Sequence, residues 1–338
     1  MTAPLVIAEA GVNHNGDLGR AREMVAAAAA AGADIVKFQA FTVAGLVARG
    51  AQTAAYQAAN TGKSNQASLL GDLELSRDDF AVLADDCRRH RIGFLATAFD
   101  VEIVEALVAM GMNRIKVASG EITNTPALQR FARLGLPILL STGMATMNEV
   151  ETAVGTLKKA GAKDITLLHC TSLYPAPAAA LNLRAMTAMA EHFGLPVGYS
   201  DHSLGDQAAI AAVALGAQVI EKHFTPDRAL AGPDHKASLE PDELAEMIRK
   251  LRETAAMLGD GEKKPAPGEA ETAALVRRSW HTARDIPAGT VLSASDLVLK
   301  RPADGLAPDA CPLGRRLEVA LRADDPVRLE HLAEGKAA

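Results

Sequence analysis

Short apolar segments recur from residue 4 to residue 223, and each ends in polar residues. Their β-branched residues and flanking glycine or proline predict buried strands. Stretches of helix-forming residues that stop at a glycine separate them, as in "AGADIVK" and "LGAQVIE". The eight predicted strands are 4–10, 34–39, 93–97, 114–121, 137–143, 165–172, 196–202 and 218–223.

This alternation predicts an α/β fold in which a parallel sheet closes into a (β/α)8 TIM barrel. An open, doubly wound sheet is the alternative, but it usually has fewer strands and a glycine-rich nucleotide loop. The chain has neither a G-x-G-x-x-G nor a Walker motif, so the closed barrel is favoured. Ser76 is the predicted N-cap of the helix that precedes the third strand.

Two stretches do not fit the barrel pattern. Residues 40–75 form a long insertion after the second strand, which is typical of a lid or a substrate loop. After the last helix, "GDGEKKPAPGEAET" has the composition of a linker, and the compact segment beyond it is too small for a large core. We expect that segment to rest on a partner surface. The predicted domains are a barrel (1–262), a linker (263–275) and a C-terminal module (276–335).

Composition narrows the class of protein. The 338 residues carry a net charge of −6 without strongly basic runs, so neither nucleic acid nor an anionic membrane is an expected partner. The cysteines, Cys87, Cys170 and Cys311, have no C-x-x-C spacing, which favours a reduced setting over a disulfide framework. No stretch reaches about 18 apolar residues, and the N-terminus lacks a signal-peptide pattern. We therefore expect a cytoplasmic protein.

The active site of a TIM barrel lies at the C-terminal ends of its strands. In this chain all eight ends carry polar or ionisable residues, which packing alone does not require. The residues at these ends are Glu9, Lys37, Gln39, Thr97, Lys116, Ser119, Glu121, Ser141, His169, Ser172, Tyr174, Ser200, Asp201, His202, Glu221 and His223.

Two of these residues, His202 and His223, follow neighbouring strands, so their imidazoles can converge. Paired imidazoles suit a divalent ion such as Mn²⁺, Zn²⁺ or Co²⁺, with carboxylates, substrate or water completing the shell. The alternative is that each is an ordinary strand-end histidine bonded to the backbone.

Lys37 and Lys116, with hydroxyl groups between them, predict a site for a phosphate or a carboxylate. These lysines could instead extend into solvent, or Lys116 could be the nucleophile of a Schiff-base aldolase. Glu9 and Glu121 are candidate general acid/base groups or carboxylates that orient a ligand. Cys170 beside His169 suggests a nucleophile pair, but adjacent strand residues point to opposite faces, so a catalytic Cys170 is not expected.

Six blocks occur in a fixed order along the chain: "IAEAGVNHNGDLGRAREMVAAAAAAGADIVKFQAF", "KVASGEITN", "LLSTGMATMNEV", "LLHCTSLYPAP", "GYSDHSLG" and "VIEKHFTPDRALAGPDH". Together they resemble the N-acetylneuraminate (sialic acid) synthase family. The segment "RRSWHTARDIPAGTVLSASDLVLKRPADG" resembles the SAF (antifreeze-like) domain of that family. The resemblance covers nearly the whole chain.

The resemblance implies a condensation that depends on phosphoenolpyruvate. C3 of phosphoenolpyruvate attacks the open-chain aldehyde of an N-acylated amino sugar such as N-acetylmannosamine, water adds at C2, and phosphate leaves by C–O cleavage. The product is a nine-carbon 2-keto-3-deoxy acid. Sister branches make legionaminic or pseudaminic acid from 2,4-diacetamido hexoses, and one sequence does not separate these branches.

The resemblance also assigns residues. His202 and His223 resemble metal ligands, with Mn²⁺ as the expected ion and Mg²⁺ or Co²⁺ as alternatives. An arginine of the SAF domain reaches the N-acyl group of the sugar, and Arg301 in "LKRPADG" matches it. The family forms homodimers in which the SAF domain of one subunit caps the barrel of the other.

The remaining assignments concern the two substrates. Gln39, Tyr174 and Asp234 fall where the family holds the sugar. Ser172 stands where the sialic acid branch often has an asparagine that contacts phosphate, and Ala303 replaces a glycine of the cap motif "RPG-x-G". The positions at which the family holds phosphoenolpyruvate are Lys37, Thr97, Lys116, Ser119, Ser141 and Ser200. A non-catalytic sugar-binding protein is a further alternative, but it leaves the lysines, glutamates and histidines without a role.

Overall fold

The computed structural model describes residues 3–334, which divide into two compact units between Asp260 and Gly261. The first unit is a closed barrel of eight parallel strands in sequential order, and β1 pairs with β8 to complete it. The predicted TIM barrel is confirmed. Its strands are β1 (Leu5–Gly11), β2 (Ile35–Ala40), β3 (Gly93–Ala98), β4 (Ile115–Val117), β5 (Ile138–Ser141), β6 (Ile165–Cys170), β7 (Val197–Asp201) and β8 (Val219–His223).

Helices cover the outside of the barrel, so strands such as β6, β7 and β8 are buried at every position. Burial on both faces explains why these strands are apolar runs without alternation. Ser76 caps its helix as predicted, because its Oγ accepts from the Asp79 amide (3.1 Å). The helices are α1 (Leu18–Ala30), α2 (Val43–Leu46), α3 (Ala55–Thr61), α4 (Gln66–Gly71), α5 (Arg77–His90), α6 (Val101–Ala109), α7 (Thr125–Arg133), α8 (Met147–Lys159), α9 (Arg184–Phe193), α10 (Gln207–Ala214), α11 (Pro241–Leu258) and α12 (Glu269–Val276).

The insertion after β2 is folded, although no regular structure was predicted there. It contains α2, α3 and α4, and it packs on a small core of its own formed by Val12, Phe41, Leu69 and Leu73. The insertion is therefore attached to the C-terminal side of the barrel by apolar contacts, at the side where β1 and β2 end.

The second unit has a separate small core of Ile286, Leu292, Leu317, Leu321, Val327 and Leu332. Two antiparallel strands, β9 (Ser279–Thr282) and β10 (Leu297–Lys300), form its sheet. Helix α12 occupies most of the segment that was predicted to be a linker. Residues 1, 2 and 335 of the predicted domains lie outside the described residues. Within residues 3–334, no helix is long and apolar enough to cross a membrane.

Candidate active site

A cavity of about 230 Å³ opens at the C-terminal ends of the barrel strands. Most of the residues predicted from the strand ends line it, although they come from positions scattered over the whole barrel sequence. The predicted residues in its lining are Glu9, Lys37, Gln39, Thr97, Lys116, Ser119, Ser141, Ser172, Tyr174, Ser200, His202, Glu221 and His223.

Three residues that were predicted to act in catalysis or sugar binding are absent from the cavity lining. Glu121 is half-buried outside the cavity lining, and its carboxylate accepts from Asn124 Nδ2 (2.7 Å). Asp234 is buried, with Oδ1 lacking a hydrogen-bond partner, and burial raises its pKa to about 6 despite the nearby charge of His202. Arg301 is exposed in the second unit, so its role stays a prediction.

The expectation that His169 lies at the site was wrong. His169 faces away from the cavity, where Nε2 bonds the Leu181 carbonyl (2.7 Å) and the ring stacks on Tyr199. Cys170 lines the cavity instead, with Sγ 3.7 Å from His202 Nδ1. Alternation along the strand holds, but the sequence does not reveal which residue of each pair faces inward.

Asp201 also departs from the prediction, because it points away from the cavity. Lys222 on the adjacent strand lies with its Nζ 2.8 Å from Asp201 Oδ2, and both side chains are fully inaccessible to solvent. We call Asp201 and Lys222 the outer pair.

Four ionisable side chains meet on the cavity side of β1, β2, β4 and β8. Lys37 Nζ lies 2.7 Å from Glu9 Oε2 and 3.6 Å from Glu221 Oε2, and it donates to Thr97 Oγ1 (2.9 Å). Lys116 Nζ lies 3.5 Å from Glu221 Oε1. We call Glu9, Lys37, Lys116 and Glu221 the cavity cluster. Both lysines are buried, which rules out the alternative that they extend into solvent.

Burial and pairing act differently on the two carboxylates of this cluster. Burial raises the pKa of Glu9 to about 7, although Lys37 opposes the shift. Burial also tends to raise the pKa of Glu221, but the charges of Lys116 and Lys37 outweigh it and lower that pKa to about 2. Glu9 can therefore exchange a proton near neutral pH, whereas Glu221 stays ionised.

Next to the lysines, small side chains form a pocket that we call the hydroxyl cradle: Ser119, Ser141, Ser172 and the backbone of Gly143. Ser119 Oγ donates to Ser141 Oγ (2.9 Å) and accepts from the Gly143 amide (3.0 Å). A Cβ added at Gly143 would lie 2.6 Å from Ser119 Oγ and closer still to Ser172 Oγ. Glycine thus leaves the cradle open for an anionic group beside two ammonium groups.

The rings of His202 and His223 both line the cavity, with their centroids 5.4 Å apart. His202 Nδ1 lies 2.9 Å from the Thr171 carbonyl oxygen, and His202 Nε2 lies 2.9 Å from the Tyr174 hydroxyl. His223 Nδ1 is buried without a hydrogen-bond partner. Burial lowers the pKa of His223 well below its usual value, so this ring is neutral.

These contacts fit a divalent ion held by two protein ligands. A carbonyl that accepts from Nδ1 of His202 leaves the lone pair of Nε2 for a ligand, as is usual for metal-binding histidines. Within residues 3–334, no group of three or more His, Cys, Asp or Glu residues is placed to hold a metal ion. A divalent ion at these two histidines would therefore need substrate and water as its remaining ligands.

Aromatic rings connect the insertion to these histidines. Tyr56 of α3 stacks on Tyr174 (centroids 5.1 Å apart, 18° between planes), and Tyr174 stacks on His202 (4.0 Å, 29°). Asn60, also on α3, donates to the carbonyl of Pro233 (2.8 Å), one residue before Asp234. The sequence indicated that the insertion serves the site, but no spacing rule singled out Tyr56, Gly143 or Cys170.

Two family models match the chain. The model described as the NeuB family matches residues 24–263, and the model described as the SAF domain matches residues 277–333. These ranges correspond to the barrel and to the second unit.

Relatives of similar length support the same grouping. The chain is 45% identical to N,N'-diacetyllegionaminic acid synthase of Legionella pneumophila, covering 97% of this chain and 94% of that protein. It is 46% identical to the protein of the same name from Campylobacter jejuni, over 91% and 93%. Among solved structures, the sialic acid synthetase of Leptospira borgpetersenii with citrate matches with a TM-score of 0.71 and 37% identity, over 80% of this chain and 90% of that one.

Proposed function

Because this chain belongs to the NeuB family, we propose that it condenses phosphoenolpyruvate with an N-acylated amino sugar to give a nine-carbon 2-keto-3-deoxy acid and phosphate. The observation that carries the proposal is the cavity cluster beside the hydroxyl cradle. Two buried lysines and several short donors in one cavity match a small substrate that carries both a phosphate and a carboxylate.

The reaction joins two carbons and then adds water. C3 of phosphoenolpyruvate forms a bond to the aldehyde carbon, and the aldehyde oxygen takes up a proton. Water adds at C2 and loses a proton, after which the C2–O bond to phosphate breaks and C2 becomes the keto group. A divalent ion at His202 and His223 would polarise the aldehyde.

The side chains of the cavity have separate tasks in this scheme. Lys37 and Lys116 neutralise the phosphate and the carboxylate, and the hydroxyl cradle orients the phosphate. Glu9 moves the proton, since its pKa of about 7 suits both directions of transfer, and it lines the cavity whereas Glu121 does not. Ionised Glu221 holds both ammonium groups in place.

The proposed acceptor is a 2,4-diacetamido hexose, which makes the product a legionaminic acid. Similarity of 45% and 46% to two proteins named N,N'-diacetyllegionaminic acid synthase supports this choice over N-acetylmannosamine. We further propose that Arg301 of a second subunit contacts the N-acyl group in a homodimer. Arg301→Ala is then expected to raise KM for the sugar more than KM for phosphoenolpyruvate.

Phosphate release tests the proposal directly. The metal-free protein is incubated with phosphoenolpyruvate and either 2,4-diacetamido hexoses or N-acetylmannosamine, with and without Mn²⁺. We expect release that needs both an N-acyl hexose and the ion, and we expect His202→Ala to abolish most of it while the fold persists. A Schiff-base aldolase would instead release no phosphate, and borohydride would trap it irreversibly with its carbonyl substrate even in EDTA.

A further inference from the structure

Directly behind the two cavity histidines lies the outer pair, whose role in the fold is not explained by the reaction. Asp201 precedes His202 by one residue, Lys222 precedes His223 by one residue, and Asp201 and Lys222 are register partners on β7 and β8. Successive strand residues point to opposite faces. Asp201 is the last residue of β7 and His223 the last residue of β8, so the outer pair is the register pair that directly precedes the two histidines.

The bonds of the outer pair converge on one residue, Ser203. Lys222 Nζ donates to the Ser203 carbonyl (2.5 Å), and Asp201 Oδ1 accepts from the Ser203 amide (2.8 Å) and hydroxyl (2.7 Å). Ser203 follows His202 directly. The backbone on both sides of His202 is therefore tied to Lys222, and through Lys222 to the residue before His223.

A hydrogen bond on the cavity side also joins β7 to β8. Ser200 Oγ donates to Glu221 Oε1 (2.8 Å), so the residues that precede the outer pair on β7 and β8 are also joined. The two strands are cross-linked at successive positions just before the histidines.

We propose that the outer pair positions His202 and His223 for a metal ion, so that it sets the affinity of the site for the ion without touching it. The inference depends on the proposed function, because it assumes that the two histidines hold a divalent ion. Asp201 and Lys222 are thus positioning residues that act through the histidines.

Stability alone does not account for a buried ion pair at this place. An apolar pair of similar volume is often as stabilising, because removing two charges from water is costly. What apolar side chains cannot supply is direction, and here the directed bonds end on the residues that flank His202. Partners behind a metal ligand commonly set its orientation in this way.

The test replaces both charges together, because a single change would leave an unpaired charge in the interior. The variant is Asp201→Leu/Lys222→Met, and Mn²⁺ binding to the metal-free full-length protein is measured by calorimetry in saturating phosphoenolpyruvate. We expect the variant to unfold cooperatively and its Kd for Mn²⁺ to rise about 10–100-fold. At saturating Mn²⁺, KM for phosphoenolpyruvate should change by a smaller factor than the Kd for Mn²⁺ does.

Asp86→Asn is the matched control, since Asp86 is a buried carboxylate that pairs with Arg22 and Arg89. It should leave the Kd for Mn²⁺ unchanged even where it lowers the melting temperature. Asp201→Asn is a second variant that keeps the side-chain shape, although it leaves Lys222 charged without a carboxylate, and it should weaken Mn²⁺ binding in the same direction.

The outcomes separate the two claims. If the wild-type protein binds Mn²⁺ and the folded double variant binds it equally well, the outer pair is only structural and the inference is wrong. If the wild-type protein binds no Mn²⁺ under these conditions, the metal role in the proposed function fails as well. If the double variant does not fold, Asp201→Asn decides, and unchanged Mn²⁺ affinity in that variant overturns the inference.

Discussion

The barrel contains two buried groups of opposite charges, and they differ in how completely their atoms are bonded. In the outer pair, both oxygens of Asp201 accept hydrogen bonds, and Lys222 donates to a carboxylate and a carbonyl. In the cavity cluster, Glu221 Oε2 has no hydrogen-bond partner, and the lysines lie 3.5 and 3.6 Å from that carboxylate.

This difference indicates that the outer pair supports the fold, whereas the cavity cluster forms part of a binding site. The charges of the outer pair are bonded to each other and to Ser203 on the side away from the cavity. An ammonium group that faces the cavity, such as Lys116 at 3.5 Å from Glu221, can transfer its interactions to an anion. Lysines and carboxylates thus hold the backbone on one face of the strands, and on the other face they line a cavity that can bind a substrate.

The largest expected effect comes from removing a charge of the cavity cluster. Lys116→Met should lower kcat/KM by about 10³-fold, because a charge placed in advance at the reacting phosphate is lost. Phosphate release at saturating acceptor measures it. Lys159→Met, on the exposed end of α8, is the control and should match the wild type. Activity within tenfold of wild type in Lys116→Met would place the anion elsewhere.

Removing one charge of the outer pair should mainly lower the stability of the fold. Lys222→Met is expected to lower the free energy of unfolding by about 3–5 kcal/mol, since it leaves Asp201 charged and buried. Lys116→Met should cost less, because Lys37 still lies beside Glu221 and because Glu9, with a pKa of about 7, can take up a proton. Urea denaturation of both variants measures the contrast, and equal losses would show that the two groups do not differ as described.

Filling the hydroxyl cradle should impair the reaction while leaving all charges in place. Gly143→Ala is expected to lower kcat/KM by about 100-fold, because the added methyl group displaces the phosphate from its bonding position. In Gly155→Ala the new Cβ meets nothing within 4 Å, so this variant should keep full activity. An active Gly143→Ala variant would mean that no ligand enters the cradle.

The buried side chain of His14, which has no charged partner in the described part of the chain, should make the stability of the fold depend on pH. Burial lowers the pKa of His14 from 6.5 to about 4, and its Nε2 has no partner. Neutral His14 therefore contributes stability above pH 6.5 that is lost as the pH falls towards 4, amounting to about 2 kcal/mol at pH 5. His14→Gln should flatten the decline of stability between pH 7 and pH 5, measured by urea denaturation; an unchanged slope would contradict this.

The barrel and most of its cavity could be predicted because both follow from chain order. Parallel strands place their C-terminal ends at one mouth, so Lys37, Lys116, His202 and His223 could be brought together from position alone.

Side-chain direction at the strand ends could not be predicted in the same way. A parallel strand buried on both faces lacks the polar alternation that marks inside from outside. The strand-end residues therefore include His169 and Asp201, which face away from the cavity, and nothing in the sequence shows that Cys170 faces it. Tyr56 was missed for another reason, because its contact with Tyr174 joins positions whose approach depends on how the insertion folds.

The stacking of Tyr56 on Tyr174 has a consequence for how such an enzyme can diversify. The cavity cluster belongs to barrel strands, whereas Tyr56 belongs to the insertion, which packs on a small core separate from that of the barrel. Substitutions in α3 can reshape the space beside Tyr174 while the strands keep their register. New sugar preferences can therefore accumulate, in nature or by directed evolution, without rebuilding the reaction centre.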